Sequence, residues 1–224
     1  MTHYTLIRSK RKTIALYIRN TTLEVRAPFR AGVCEIEQFI ASKMDWITDK
    51  LTQSAERLAK RKSFSLTYGD LVSYRGSLCS VMAKDGKQIG FNDGCFFMPM
   101  GMDPGQIKAT CTQIYRLLAK NHMPERVWVY AKKMNVIPTA VKINGAKSCW
   151  GSCSSKKSLN FSWRIMMADD SVIDYVIVHE LAHLIEMNHS PRFWAIVESV
   201  LPDYRERKVQ LKELQKRLSI ENWD

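Results

Sequence analysis

No stretch of this sequence approaches the roughly 18 consecutive apolar residues of a membrane-spanning helix. Charges also interrupt every apolar run in the first thirty residues, MTHYTLIRSKRKTIALYIRNTTLEVRAPFR, so the apolar core of a signal peptide is missing. These two absences predict a cytoplasmic chain with no membrane partner. The 6 cysteines, at positions 34, 79, 95, 111, 149 and 153, are then expected to be reduced. No internal repeat and no low-complexity segment occurs, which leaves an ordinary globular chain. A Gly-rich phosphate loop of the form G-x-x-x-x-G-K-S/T is lacking too. Acidic residues are outnumbered, with 22 Asp and Glu against 34 Lys and Arg, a net charge of +12 and a pI near 9.5. That imbalance favours an anionic partner, a nucleotide or a nucleic acid. Histidine is scarcest of all, with 5 residues in 224.

What is present fits one large domain or two small ones. Residues 3 to 28 alternate apolar and polar in short runs and predict strands of an antiparallel sheet. From 34 to 61, apolar residues at 36, 39, 40, 44, 46, 47 and 51 follow helical spacing. DLVSYRG, LCSVMAK and CFFMPM read as further strands, separated by the turn pairs Asp85-Gly86 and Asp93-Gly94. Residues 104 to 134 predict a helix interrupted at Pro124. TAVKINGA, SCWGSCS and SLNFSWRIM read as three more strands. Asp169-Asp170-Ser171 can cap a helix over 171 to 187, whose apolar positions 173, 176, 177, 181 and 184 form one stripe. Ser190-Pro191 has the form of an N-cap and first helical residue, and a last helical region, broken near Pro202, runs to 218. The expected class is α+β. PMGMDPG is the composition break between a β-rich part, 1–102, and a second part, 103–224.

Three of the five histidines fall in one window, HELAHLIEMNHS, residues 179 to 190. On a helix, residues four apart stand only about 40 degrees apart around the axis. His179 and His183 therefore project from one face, one turn apart, and can reach a common metal ion. Glu180 lies about 100 degrees round from His179. It can border the metal without binding it and take a proton from a water there. A catalytic zinc needs a third protein ligand and one open position. His189 could not serve if the helix ran on, because it would lie about 9 Å further along the axis. Met187-Asn188 before the new cap at Ser190 predicts a break, with left-handed Asn188 turning the chain back. Glu198, on the following helix, is the alternative third ligand, and Glu206 a weaker one.

Around this centre the sequence offers further groups without choosing among them. Asp174, Glu186 and Glu198 are candidate acceptors for the second nitrogens of the histidines. Tyr204, Tyr175 and Arg164 are candidates for stabilising an oxyanion. Trp150, Gly151, Ser152 and Cys153 can form an edge that pairs with an extended substrate, or an ordinary tryptophan-anchored turn. Cys149 or Cys153 as a thiolate ligand is a weaker option, since C-x-x-x-C is a poor metal signature.

The stretch from CWGSCS through HELAHLIEMNHS to LPDYRERKVQLK resembles the YgjP-like group of zinc metallopeptidases, relatives of the WLM and SprT-like proteins. The matching features are Trp150 to Cys153, Asn160 with Trp163-Arg164, Val172 to Tyr175, the H-E-L-x-H motif, Asn188-His189, Phe193-Trp194 and Pro202 to Tyr204. SKRKTIALYIR, VRAP and SKMDWI extend the likeness to the N-terminal part. One position departs: the residue before W-G-S-C is usually Arg in that group and is Cys149 here. The resemblance implies a zincin-like fold in the second part and a zinc cofactor. It also implies His179, His183 and His189 as ligands, Glu180 as acid/base, and a peptide or protein substrate.

Two other functions fit parts of the sequence. The same centre could hydrolyse a phosphoanhydride, as in a nucleoside triphosphate pyrophosphohydrolase, to which a basic chain is suited. Alternatively, the run from Arg8 to Lys12 and the cluster Arg57, Lys60, Arg61 and Lys62 could bind nucleic acid, with the metal secondary.

Overall fold

The computed structural model describes residues 3–223. The chain forms two compact units. One runs up to Phe64 and includes Ser219–Asn222, and the other comprises Ser65–Leu218 with Trp223. No helix is long and apolar enough to cross a membrane among the described residues.

The first unit contains β1 (Tyr4–Ser9), β2 (Ala15–Arg19), β3 (Thr22–Pro28), α1 (Val33–Ala41) and α2 (Met44–Ser63). Its sheet has the order β1-β3-β2. β2 and β3 are antiparallel across a turn in which Asn20 and Thr21 take positive φ, but β1 runs parallel to β3. The expected antiparallel sheet is therefore mixed. Alternation fixes which face of a strand is buried, not which way its partner runs. Leu23, Val25 and Ala27 of β3 point into a core completed by Ile36, Ile40 and Ile47. The helical spacing from 34 to 61 resolves into two helices, because the chain turns at Ser42-Lys43. Arg8 ties the end of β1 to the loop before α1, donating to the carbonyls of Pro28, Phe29 and Ala31 at 3.0, 3.1 and 2.8 Å.

The second unit opens with a four-stranded sheet, order β4-β5-β7-β6, built from β4 (Leu71–Tyr74), β5 (Ser77–Lys84), β6 (Gly90–Asn92) and β7 (Cys95–Pro99). It continues through α3 (Pro104–Lys133), β8 (Ala140–Asn144), β9 (Gly151–Cys153) and β10 (Ser158–Ser162) to a 3-10 turn, Trp163–Met167. α4 (Asp170–Ala182), α5 (Pro191–Val200) and α6 (Tyr204–Leu218) follow. The composition break at 100–104 is the connection between β7 and α3 inside this unit. The β4–β5 turn is anchored onward: Arg75 N–H donates to the Met166 carbonyl at 2.9 Å, and its guanidinium grips Asp170 at 2.6 and 2.7 Å.

α3 starts at a capping box between Asp103 and Gln106. It passes unbroken through Pro124, contrary to the sequence expectation. Met123 and Val127, both fully buried, flank that proline, and their packing outweighs the missing backbone bond. The helix stops at Asn135, which takes the left-handed conformation (φ 52°). SLNFSWRIM is strand only as far as Ser162, and its remainder forms the 3-10 turn. The second small sheet has the order β8-β10-β9, with β9 antiparallel at one edge.

α4 is the centre of this unit. All of its residues except Asp170, Ser171 and His179 are buried. The single apolar stripe read from the sequence is thus a helix enclosed on every side. Its caps differ from expectation as well, since Asp169 is the N-cap residue but its side chain makes no capping bond.

Candidate metal centre

His179 is the only residue past the first turn of α4 that is not buried. It marks where the enclosed helix opens. His183, the next turn down, is the C-cap residue, so the helix ends there and not at 187. The chain leaves in a tight turn, with Leu184 N–H bonding to the Leu181 carbonyl and Ile185 and Glu186 N–H to that of Ala182. The turn needs no left-handed Asn188, which is absent from the positive-φ residues. It ends where the sequence placed a cap: Ser190 Oγ accepts from Phe193 N–H at 3.3 Å, and Pro191 opens α5. His189 is thereby carried back over the first two histidines.

The three rings form a near-equilateral group, with centroids 5.0, 4.9 and 4.8 Å apart. One ring nitrogen from each lies within 4.8 Å of the others, and His179 Nε2 and His189 Nε2 approach to 3.0 Å. Three nitrogens each about 2 Å from one tetrahedral zinc stand about 3.3 Å apart, so small side-chain adjustments bring this set to that geometry. His183 Nδ1 lies 3.3 Å from the Glu186 carbonyl oxygen. That contact leaves its Nε2 for the group. Burial, then the neighbouring His183 and His189 and Lys208, pushes the pKa of His179 down to about 3. Burial also lowers that of His183. Metal ligation requires neutral imidazole, and the donor set fits a borderline-soft divalent ion such as zinc. His179 Nδ1 is buried without a hydrogen-bond partner.

Aromatic rings wall the group. Phe193, fully buried, lies 4.9, 4.6 and 4.8 Å from the rings of His179, His183 and His189. Trp194 stacks on His189 at 5.8 Å and on Tyr204 at 5.4 Å, with Lys208 Nζ 4.5 Å from the indole centroid. These packing partners come from α5 and α6; Tyr204, named from the sequence as an oxyanion candidate, stacks on Trp194.

The Glu180 side chain lies against β9. It is 6% exposed, and burial raises its carboxyl to about 7. Gly151 lies against it: a β-carbon there would stand 2.6 Å from Glu180 Cγ. Cys153, two residues along β9, has its thiol pKa raised by burial and by the Glu180 charge. Neither Cys153 nor the exposed Cys149 joins the histidine group.

The other sequence candidates separate. Tyr175 stays on the histidine side, its ring 6.0 Å from His179. Its pKa is pushed up to about 12 by burial, Tyr204 and Glu180. Arg164 is held elsewhere, donating to the Gly145 carbonyl at 2.9 Å and lying over Trp163. Asp174 is engaged by Arg126 and Tyr130 of α3, not by a histidine. Glu186 contributes its carbonyl, not its carboxylate, to His183. Glu198 pairs with Arg205 of α6 at 2.8 Å and is outside the group.

The model of the YgjP-like metallopeptidase domain matches residues 12–214. The chain belongs to the YgjP-like metallopeptidase family. It therefore carries a metal-dependent peptidase domain, and the histidine group lies within the matched span. Two solved metallopeptidase zymogens are similar in part. Abylysin of Pyrococcus abyssi is 22% identical over 44% of this chain and 96% of its own, with a TM-score of 0.38. Jannalysin of Methanocaldococcus jannaschii is 23% identical over 42% of this chain and 94% of its own, with a TM-score of 0.36. No curated protein matches the chain.

Proposed function

We propose that this YgjP-like chain is a zinc-dependent peptidase in which His179, His183 and His189 hold the metal and Glu180 is the general acid/base. One observation carries the reading: three imidazole nitrogens, two of them from the H-E-x-x-H helix that also carries Glu180, converge within 4.8 Å of one another. Burial raises the Glu180 carboxyl to about 7. Zinc at such a set supplies Lewis acidity to a carbonyl oxygen and to water.

The chain's own residues do the rest. A carboxyl with a pKa near the operating pH both accepts and returns a proton efficiently. Glu180 takes the proton of the attacking water and delivers it to the leaving amine. Gly151 sets the position of that carboxylate by leaving its space clear. β9 is an edge strand beside Glu180, so its outer side can pair with an extended peptide. Strand pairing presents the peptide backbone while demanding little of its side chains. Phe193 and Trp194 close one side of the centre and hold the histidine rings in orientation. Every residue used here lies in 103–224, to which we assign the zincin-like catalytic part.

The test is zinc-loaded protein against a peptide library and a nucleotide panel, with Glu180→Gln as control. Peptide cleavage that the variant lacks, with zinc still bound, supports the reading. Turnover unchanged in the variant, or hydrolysis of nucleotides alone, overturns it.

A further inference from the structure

The second unit holds another concave site, and none of its residues belongs to the histidine group. A cavity of about 550 Å³ lies between the first half of α3, the loop after β8 and the start of the 3-10 turn. Four cationic side chains line it: Lys108 and Arg116 from α3, Lys147 from the loop, and Arg164. Among the described residues, no Asp or Glu lines it.

Two features show that this is more than a run of surface charge. Trp163, only 1% exposed, also lines the cavity, and its indole Nε1–H is buried without an acceptor. A buried donor left unpaired is unfavourable and is normally matched by a ligand or an ordered water. The second feature is Gly145. A β-carbon at that residue would lie 3.1 Å from Arg116 Nη2 and 3.7 Å from Trp163 Nε1. The glycine therefore keeps open a point within reach of both a guanidinium and the unpaired indole N–H. Arg164 is fixed at the rim by its bond to the Gly145 carbonyl at 2.9 Å and by its place 4.5 Å over the Trp163 ring.

We propose that this cavity is an oxyanion-binding site that takes a phosphate group. An oxygen near Gly145 accepts from Trp163 Nε1–H and Arg116, and Lys108 balances the charge from the side. A phosphate dianion matches a wall of cations better than a singly charged carboxylate does. The volume also accommodates a mononucleotide. Free phosphate and a nucleotide's phosphate thus share the chemistry.

Titration of the full-length protein with inorganic phosphate and, separately, with AMP at low salt tests the assignment. Binding is followed by calorimetry and by the indole ¹H–¹⁵N resonances. Phosphate should move the Trp163 N–H signal downfield. Arg116→Gln and Gly145→Ala should each weaken binding at least about tenfold, with the zinc content of the histidine centre unchanged. Gly145→Ala should fold, because the nearest atom its methyl meets is the end of the flexible Arg116 side chain. Tighter binding of AMP identifies a nucleotide as the source, and equal binding identifies the free anion. Absence of binding by both ligands at low salt overturns the proposal, as does affinity unchanged in both variants.

Discussion

Gly151 of β9 and Glu180 of α4 occupy adjoining space: a β-carbon on Gly151 would stand 2.6 Å from Glu180 Cγ and 2.7 Å from its Oε1. The backbone of Gly151 does not take positive φ, so the requirement for glycine here is steric and comes from the carboxylate.

Gly151→Ala should therefore displace Glu180 while leaving the three histidines in place. A shift of about 1 Å in a catalytic group can cost about 10²-fold in rate. Zinc content should stay at the wild-type level while kcat on a cleaved peptide falls by about that factor. A variant with unchanged kcat would show that Glu180 has room to spare.

Asp174 is 6% exposed and accepts two bonds from Arg126, both at 2.6 Å, and one from Tyr130 at 2.8 Å. These bonds join α4 to α3. Asp174→Asn removes the charge and leaves Arg126 without its counter-ion. Because the Arg126 side chain is 36% exposed, the loss should be about 2 kcal/mol, short of the 3–5 of a fully enclosed pair. Urea unfolding of the metal-free protein measures it.

Asp170 gives a pH-dependent contribution. The hydrogen bonds from Arg75 hold its carboxyl below the ordinary value of 3.8. A carboxyl whose pKa is depressed on folding binds fewer protons in the native state. Its stabilisation is present above pH 3.8 and is lost as pH falls through the lower folded value. Both side chains are more than a third exposed, so the effect is about 1 kcal/mol or less. The wild-type stability should drop more steeply than that of Asp170→Asn below about pH 4, as read by midpoints of urea unfolding across pH.

The H-E-x-x-H pair was legible because its geometry is local: two residues one turn apart on a helix need nothing from the rest of the chain. The return of His189 was legible in outcome through Ser190-Pro191, which does cap α5. Its means was not, because the helix already ends at His183 and the turn is built from bonds to Leu181 and Ala182 carbonyls. Pro124 misled for a related reason. Local propensity argues for a break, but burial of Met123 and Val127 is a tertiary effect that only the packed structure supplies. The parallel pairing of β1 with β3 and the contact of Gly151 with Glu180 join segments distant in sequence. Neither alternation nor a short motif encodes such pairings.

The ligand set is the central claim, and zinc binding to two purified variants tests it most directly. His189 stands within the nitrogen group, whereas Glu198 is turned to Arg205 at 2.8 Å. Stoichiometry and affinity should be measured for His189→Ala and Glu198→Ala alongside wild type. The account predicts that His189→Ala loses zinc affinity by well over the 10–100-fold typical of an outer-shell change, while Glu198→Ala keeps one zinc per chain at near wild-type affinity. A Glu198→Ala protein empty of zinc beside a fully loaded His189→Ala protein would contradict it.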